Sequence, residues 1–253
     1  MNPAQTAILD SPGMDFEQER IALACAFRWT ARFDMHESVA NHFSLAVDEA
    51  GTKFLMNPRG RHFSRIKASE LLLLDAEDEQ IVERPDAPDP TAWALHGAIH
   101  RRVRHARCVL HVHSRYATAL ACLADPTLPP VDLNAMRFWG RVTIDADLDG
   151  MGLDDEAERI ARLVGDKPIL VLRNHGVMAI GETVARTFDD LYYFERACST
   201  YITALQTGRE LAIVSDRVAA KTAQQWRDYP NFSEDHFREL QAILDRDDPS
   251  YRR

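Results

Sequence analysis

Two short stretches of the chain combine residue types and spacing suited to metal chemistry. His111-Val112-His113 ends an apolar run that begins at Cys108, and His175 sits in Arg173-Asn174-His175-Gly176 after a second run, Ile169 to Leu172. Alternate side chains of a strand share a face, so His111 and His113 can offer two imidazoles to one ion, with His175 supplying a third from a turn. Three imidazoles with an open fourth position are the usual arrangement of a catalytic zinc-type site, because the vacancy lets the ion polarise a substrate oxygen.

Other constellations are weaker. His96-Gly97-Ala98-Ile99-His100 repeats the i, i+4 histidine spacing of the zinc-protease helix, but Gly97 stands where that motif needs a glutamate base. His96 is therefore expected to pack against the core and His100 to be exposed or interfacial. Ser44 follows His42 by two residues and Ser114 follows His113, yet neither serine lies in a glycine-flanked nucleophile elbow. The 11 glycines never take the spacing of a phosphate loop or a dinucleotide fingerprint, so nucleotide cofactors are not expected.

The elements that must position these residues follow from periodicity. A helix is predicted over Phe16 to Phe33, then a hairpin from Phe43–Val47 through Glu49-Ala50-Gly51 to Lys53–Met56, stopped by Asn57-Pro58-Arg59-Gly60. Leu71 to Leu74 reads as a short buried strand with a charged hairpin tip at Ala76 to Glu79, followed by a proline-rich loop from Pro85 to Pro90. Pro90-Thr91 opens a helix that feeds the His111 strand, and Arg115 to Leu123 forms the next one. Residues 131–150 carry no clear period. Helix Asp154–Val164, strands Pro168–Leu172 and Val177–Ile180, and a long helix Thr183–Gln206 ending near Gly208 complete the pattern. Tight turns between strands predict a three-layer α/β/α sandwich around a mixed, largely antiparallel central sheet. Residues 1–14 read as a flexible leader, 15–210 as the main domain, and 211–253 as a helical arm whose Trp226, Tyr229, Phe232 and Phe237 dock on that domain or on a neighbouring subunit.

With 253 residues, 45% hydrophobic and 27% charged, the composition is that of a globular protein. A net charge of -9 argues against nucleic acid or an anionic membrane as partner. The one dense basic cluster, Arg101, Arg102 and Arg104, is expected to be a solvated helix face or a subunit contact. Cys25, Cys108, Cys122 and Cys198 lie far apart in apolar segments, which suits buried reduced thiols. No signal peptide or membrane span is evident, so a soluble cytoplasmic protein is expected.

Five segments in order, Asn41-His42-Phe43-Ser44, Phe54 to Gly60, Leu95 to His100, Cys108 to His113 and Leu172 to Val177, resemble the class II aldolase/adducin family from about residue 17 to 210. The resemblance implies a mixed-sheet α/β/α fold, a ring of four subunits, and a divalent metal, zinc by preference, on His111, His113 and His175. In the sugar-phosphate aldolases of the family, a glutamate one position before an aromatic residue acts as acid/base. Here Trp93 holds the aromatic place and Ala92 the glutamate's, as in the adducin-like bacterial branch. The phosphate-binding turns match the regions of Asn41 and Arg59-Gly60, but Asn41-His42 replaces the usual glycine-asparagine pair. The expected substrate-contacting residues are His42, Asn57, Arg59 and Gly60, with Arg59 suited to a carboxylate.

The resemblance thus implies a metal-dependent carbon–carbon lyase, decarboxylase or retro-aldol in type, acting on a small oxygenated acid or sugar-derived substrate. The catalytic acid/base is unassigned, with His42, His96 and Tyr229 as candidate proton donors. Epimerase chemistry by retro-aldol and re-addition ranks lower, since it needs the same groups as the aldolases. The alternative is a noncatalytic adducin-like assembly or binding domain with a vestigial metal site.

Overall fold

Short apolar runs, several of them joined by tight turns, become a single sheet in the computed structural model, which describes residues 14–85, 87–147, 150 and 155–253. Its strands are β1 (His42–Ala46), β2 (Lys53–Met56), β3 (Leu72–Asp75), β4 (Cys108–Val112), β5 (Val142–Asp145), β6 (Ile169–Leu172) and β7 (Gly176–Gly181). They lie in the order β3-β2-β1-β4-β7-β6-β5. Every neighbouring pair is antiparallel except β5 and β6. The sheet is therefore mixed and largely antiparallel, as the turns require.

Strand alternation sends the residues of central β4 to two different helical layers. Leu110 and Val112 join one apolar cluster with helices α1 (Glu17–Arg32), α3 (Arg115–Ala121) and α6 (Val184–Leu205), through Phe27, Leu120 and Phe188 among others. Val109 points the other way, into a cluster with Leu95 and Ile99 of α2 (Pro90–Arg102) and Ile160 of α5 (Glu156–Leu163). Three layers result, and His111, two residues beyond Val109, falls on the α2–α5 side. Helix α2 starts where Asp89 accepts hydrogen bonds from the Thr91 and Ala92 amides, with Pro90 in its first turn.

The segment 131–150, unassigned from sequence, contains α4 (Leu133–Arg137) and the edge strand β5. Both are short, and β5 is only half-buried along most of its length, so neither leaves a sustained period. The expected hairpin tip at Ala76 to Glu79 is instead a turn into a 3-10 helix, Glu79–Glu83, because β3 closes one edge of the sheet. The leader expected over 1–14 lies outside the described residues except for Met14, as does Asp154, where a helix start was expected.

The C-terminal segment forms α7 (Asp216–Asp228) and α8 (Phe232–Asp247). Trp29 of α1 donates from Nε1 to the Leu240 carbonyl at 2.9 Å, and Tyr251 is fully buried. Trp226 donates to the Leu133 carbonyl at 3.2 Å. Three of the four cysteines are buried, and desolvation pushes the Cys25 and Cys108 thiols up to about 12. Cys122 corrects the sequence expectation: it follows the last residue of α3 and is exposed.

Candidate metal centre

His111, His113 and His175 converge. Their candidate ligand nitrogens all lie within 4.8 Å of one another. The His111 ring centroid is 4.8 Å from that of His113 and 4.9 Å from that of His175, and His113 and His175 are 4.9 Å apart. Strand β4 supplies His111, His113 follows directly after it, and the β6–β7 turn supplies His175. That turn places Asn174 at φ 58°, a left-handed conformation that asparagine tolerates better than most residues. Gly176 permits the close approach: a Cβ there would lie 2.6 Å from the Val112 carbonyl oxygen and 2.8 Å from Cδ2 of His113.

Hydrogen bonds fix the tautomers of two of the rings. Nδ1 of His111 is 3.1 Å from the Val177 carbonyl, which can only accept, so Nδ1 carries the proton and Nε2 a lone pair. Nδ1 of His113 donates in the same way to Glu37 Oε2 at 2.6 Å. The two Nε2 atoms then face each other at 3.0 Å. Two lone pairs cannot bond to each other, whereas a cation between them satisfies both, so the donor set fits a divalent ion. Burial, reinforced by neighbouring imidazoles, holds the His111 pKa well below the ordinary value and lowers that of His175, which keeps both in the ligating form.

A second histidine set stands beside the first. His42 is directly opposite His111 in the β1–β4 register, with ring centroids 4.8 Å apart. Its Nδ1 is 2.7 Å from Nε2 of His96, whose Nδ1 is 2.5 Å from Ser44 Oγ. Ser44 Oγ is also 2.7 Å from Nε2 of His100, and Nδ1 of His100 is 2.5 Å from the Ala106 carbonyl. His96 is buried as expected, but His100 is also buried at 4% exposure, against the exposed or interfacial position expected for it. Gly97 brings α2 against the residues after β3, since a Cβ there would meet Ala76 Cβ at 3.1 Å. Desolvation depresses all three imidazoles, His42 to about 3 and His100 to about 4. Ser44 is fully buried between two of them, and Ser114 donates to Glu195, so neither is an accessible nucleophile.

A cavity of about 350 Å³ is lined by the three candidate ligands together with His42, Asp89 and Thr91. A smaller one of about 140 Å³ shares His42 and Asp89 with it and adds Asn57, Arg59, Gly60 and Ala92. The four sequence-predicted substrate residues are thus brought together, with differing commitments. Asn57 accepts from the Phe43 amide at 3.1 Å and donates to the Asn41 carbonyl at 3.3 Å, clamping the start of β1. Arg59 is largely exposed, its Nε 3.9 Å from Asp89 Oδ2, and Gly60 turns the chain at φ 73°. Tyr229 lines a different cavity, beside Arg137 and Trp226.

Sequence reasoning missed Glu37 and Asp89, and it placed Asn41 in a binding turn without assigning its side chain a ligand. Glu37 touches His113 from 76 residues away in the chain, a pairing that no local pattern announces. Among the described residues Asn41 Nδ2 is buried without a hydrogen-bond partner, and Asn41 lines the smaller cavity, leaving a donor for a ligand. Asp89 had a readable signal as the cap residue before Pro90. Burial alone would raise its pKa, but hydrogen bonds from Thr91 and Ala92 and the proximity of His42 hold its carboxyl below the ordinary value.

Comparison with known proteins places the chain in a family. Residues 21–202 match the class II aldolase and adducin N-terminal domain. An adducin-related protein of Schizosaccharomyces pombe is 31% identical over 250 residues, spanning 92% of this chain and 76% of that protein. The crystal structure of an aldolase II superfamily protein from Pseudomonas syringae is 32% identical and superposes with a TM-score of 0.86 over 96% of this chain and 97% of that one. An L-fuculose 1-phosphate aldolase from Glaciozyma antarctica shares the fold, with a TM-score of 0.80 at 21% identity over 100% and 97% of the two chains. The chain belongs to the class II aldolase and adducin family.

Proposed function

We propose that this protein is a divalent-metal-dependent carbon–carbon lyase acting on a small oxygenated acid or sugar-derived substrate. The observation that carries the reading is the pair of inward-facing Nε2 atoms of His111 and His113, each with its Nδ1 committed to an outer acceptor. His111, His113 and His175 would hold the ion, zinc by preference, which supplies a Lewis acid for a substrate oxygen. Asn41 Nδ2 and the Arg59 guanidinium offer donors for a substrate carboxylate. Ala92 removes the carboxylate used by the sugar-phosphate enzymes, which favours decarboxylation over aldol addition, since losing carbon dioxide requires no base to remove a carbon-bound proton. His42, Asn57, Arg59 and Gly60 remain the substrate-facing set, with His42 adjoining both cavities.

A homotetramer in the cytoplasm completes the proposal. Among the described residues no helix is long and apolar enough to cross a membrane. Exposed Leu133, Ile213 and Tyr229 offer apolar surface to a neighbouring copy. Residues 15–210 are the catalytic unit in this reading, with 211–253 as its arm.

The second reading, a noncatalytic assembly domain, is favoured by Ala92 alone, buried in an apolar cluster with Phe54, Met56 and Leu74. Screening the zinc-loaded protein against hydroxy and keto acids for carbon dioxide release separates the two. Turnover abolished by His113→Ala supports the lyase, and stoichiometric metal without turnover across the panel supports the assembly domain.

A further inference from the structure

The second histidine set runs in one direction only when its rings are neutral. The Ala106 carbonyl can only accept, so Nδ1 of His100 donates to it and Nε2 keeps the lone pair. Ser44 has one hydroxyl proton, which goes to that lone pair, so its oxygen accepts from Nδ1 of His96. Nε2 of His96 is then an acceptor, and Nδ1 of His42 must donate to it. Among the described residues Nε2 of His42 has no hydrogen-bond partner, and His42 lies where the two cavities adjoin. His42 is not one of the three residues whose nitrogens cluster for a metal.

We propose that Ser44, His96 and His100 are positioning residues that hold His42 as the Nδ1–H tautomer and present its Nε2 to the cavity as an acceptor for a substrate hydroxyl. Asp89 extends the same wall: one of its oxygens caps α2, and the other, 3.9 Å from the exposed Arg59, is a second acceptor. The wall beside the metal centre thus selects a molecule that brings hydroxyl protons, an α-hydroxy acid or polyol rather than an ether or a purely oxo compound. The hydroxyl preference rests on the lyase reading for its metal-bound substrate; the tautomer does not.

Neutron diffraction of the zinc-loaded protein in deuterated buffer at pH 8 tests the tautomer. Deuterium is expected on Nδ1 of His42, His96 and His100 and absent from Nε2 of His42. Deuterium on Nε2 of His42 overturns the chain, whether or not zinc is bound at the triad, so failure of the metal reading is seen separately in the same crystal. The selectivity is read with glycolate and methoxyacetate, which differ in the hydroxyl proton. The preference of the wild type for glycolate should fall by about fivefold to tenfold in His42→Phe, the loss of one hydrogen bond, with zinc affinity unchanged. Ser44→Ala, which frees the tautomer, should lower it by a smaller factor. An unchanged preference in His42→Phe overturns the hydroxyl contact, and the wild-type neutron map decides the tautomer even if neither variant folds.

Discussion

Glu37 lies 2.6 Å from Nδ1 of His113, which sets that ring's tautomer and turns its Nε2 toward the Nε2 of His111. A carboxylate behind a ligating histidine raises its basicity and locks its orientation. Glu37→Ala should therefore lower zinc affinity by about tenfold to a hundredfold, measured by chelator competition. Its side chain is 63% exposed, so folding should be unaffected. Unchanged affinity would show that the contact does not orient a ligand.

Gly176 gives a prediction from steric exclusion. The alanine Cβ would meet the Val112 carbonyl at 2.6 Å and the His113 ring at 2.8 Å. Backbone at the β4–β7 pair must move to relieve it. Gly176→Ala should destabilise the protein by about 1 to 3 kcal/mol in urea unfolding and weaken zinc binding in parallel. A fully stable variant with intact metal affinity would contradict the packing described.

What the sequence revealed of this site depended on distance along the chain. Two-residue alternation carried one residue past the end of β4 was enough to pair His111 with His113, and the β6–β7 turn was marked by Asn174 and Gly176. Glu37 and the Ser44–His100 contact join separate elements, so no spacing encodes them. His100 was misplaced because a helix-terminal histidine beside arginines reads as solvated, whereas β1 covers it through Ser44 and the Ala106 carbonyl satisfies its Nδ1. The layers and the largely antiparallel sheet followed from turn chemistry, but α4 and β5 were too short to leave a period.

Stability should fall on mild acidification. His100 stays neutral in the fold down to about 4, while in the unfolded chain it protonates near the ordinary value of about 6.5. The unfolded state then binds more protons, so stability is complete above about pH 6.5 and is lost as pH falls toward 4, with His100 contributing up to about 3 kcal/mol. Urea midpoints at pH 8, 6 and 5 should decrease in that order. A flat profile across this window would mean that His100 is solvated or paired with an acid.

Ala92 separates this chain from the sugar-phosphate enzymes of its family. A general base contributes about 10² to 10⁴-fold in rate, and alanine supplies none. The zinc-loaded protein should cleave L-fuculose 1-phosphate at least about a hundredfold more slowly than an enzyme that retains the glutamate. Comparable rates would mean that another residue performs the proton transfer.

The proposed metal centre is tested most directly by crystallography of the zinc-reconstituted protein with anomalous diffraction at the zinc edge. One peak per chain is predicted, about 2.0 to 2.1 Å from Nε2 of His111, Nε2 of His113 and a ring nitrogen of His175, and absent in His113→Ala. A zinc-replete crystal in which the three rings point apart, or in which the peak lies elsewhere, would contradict it.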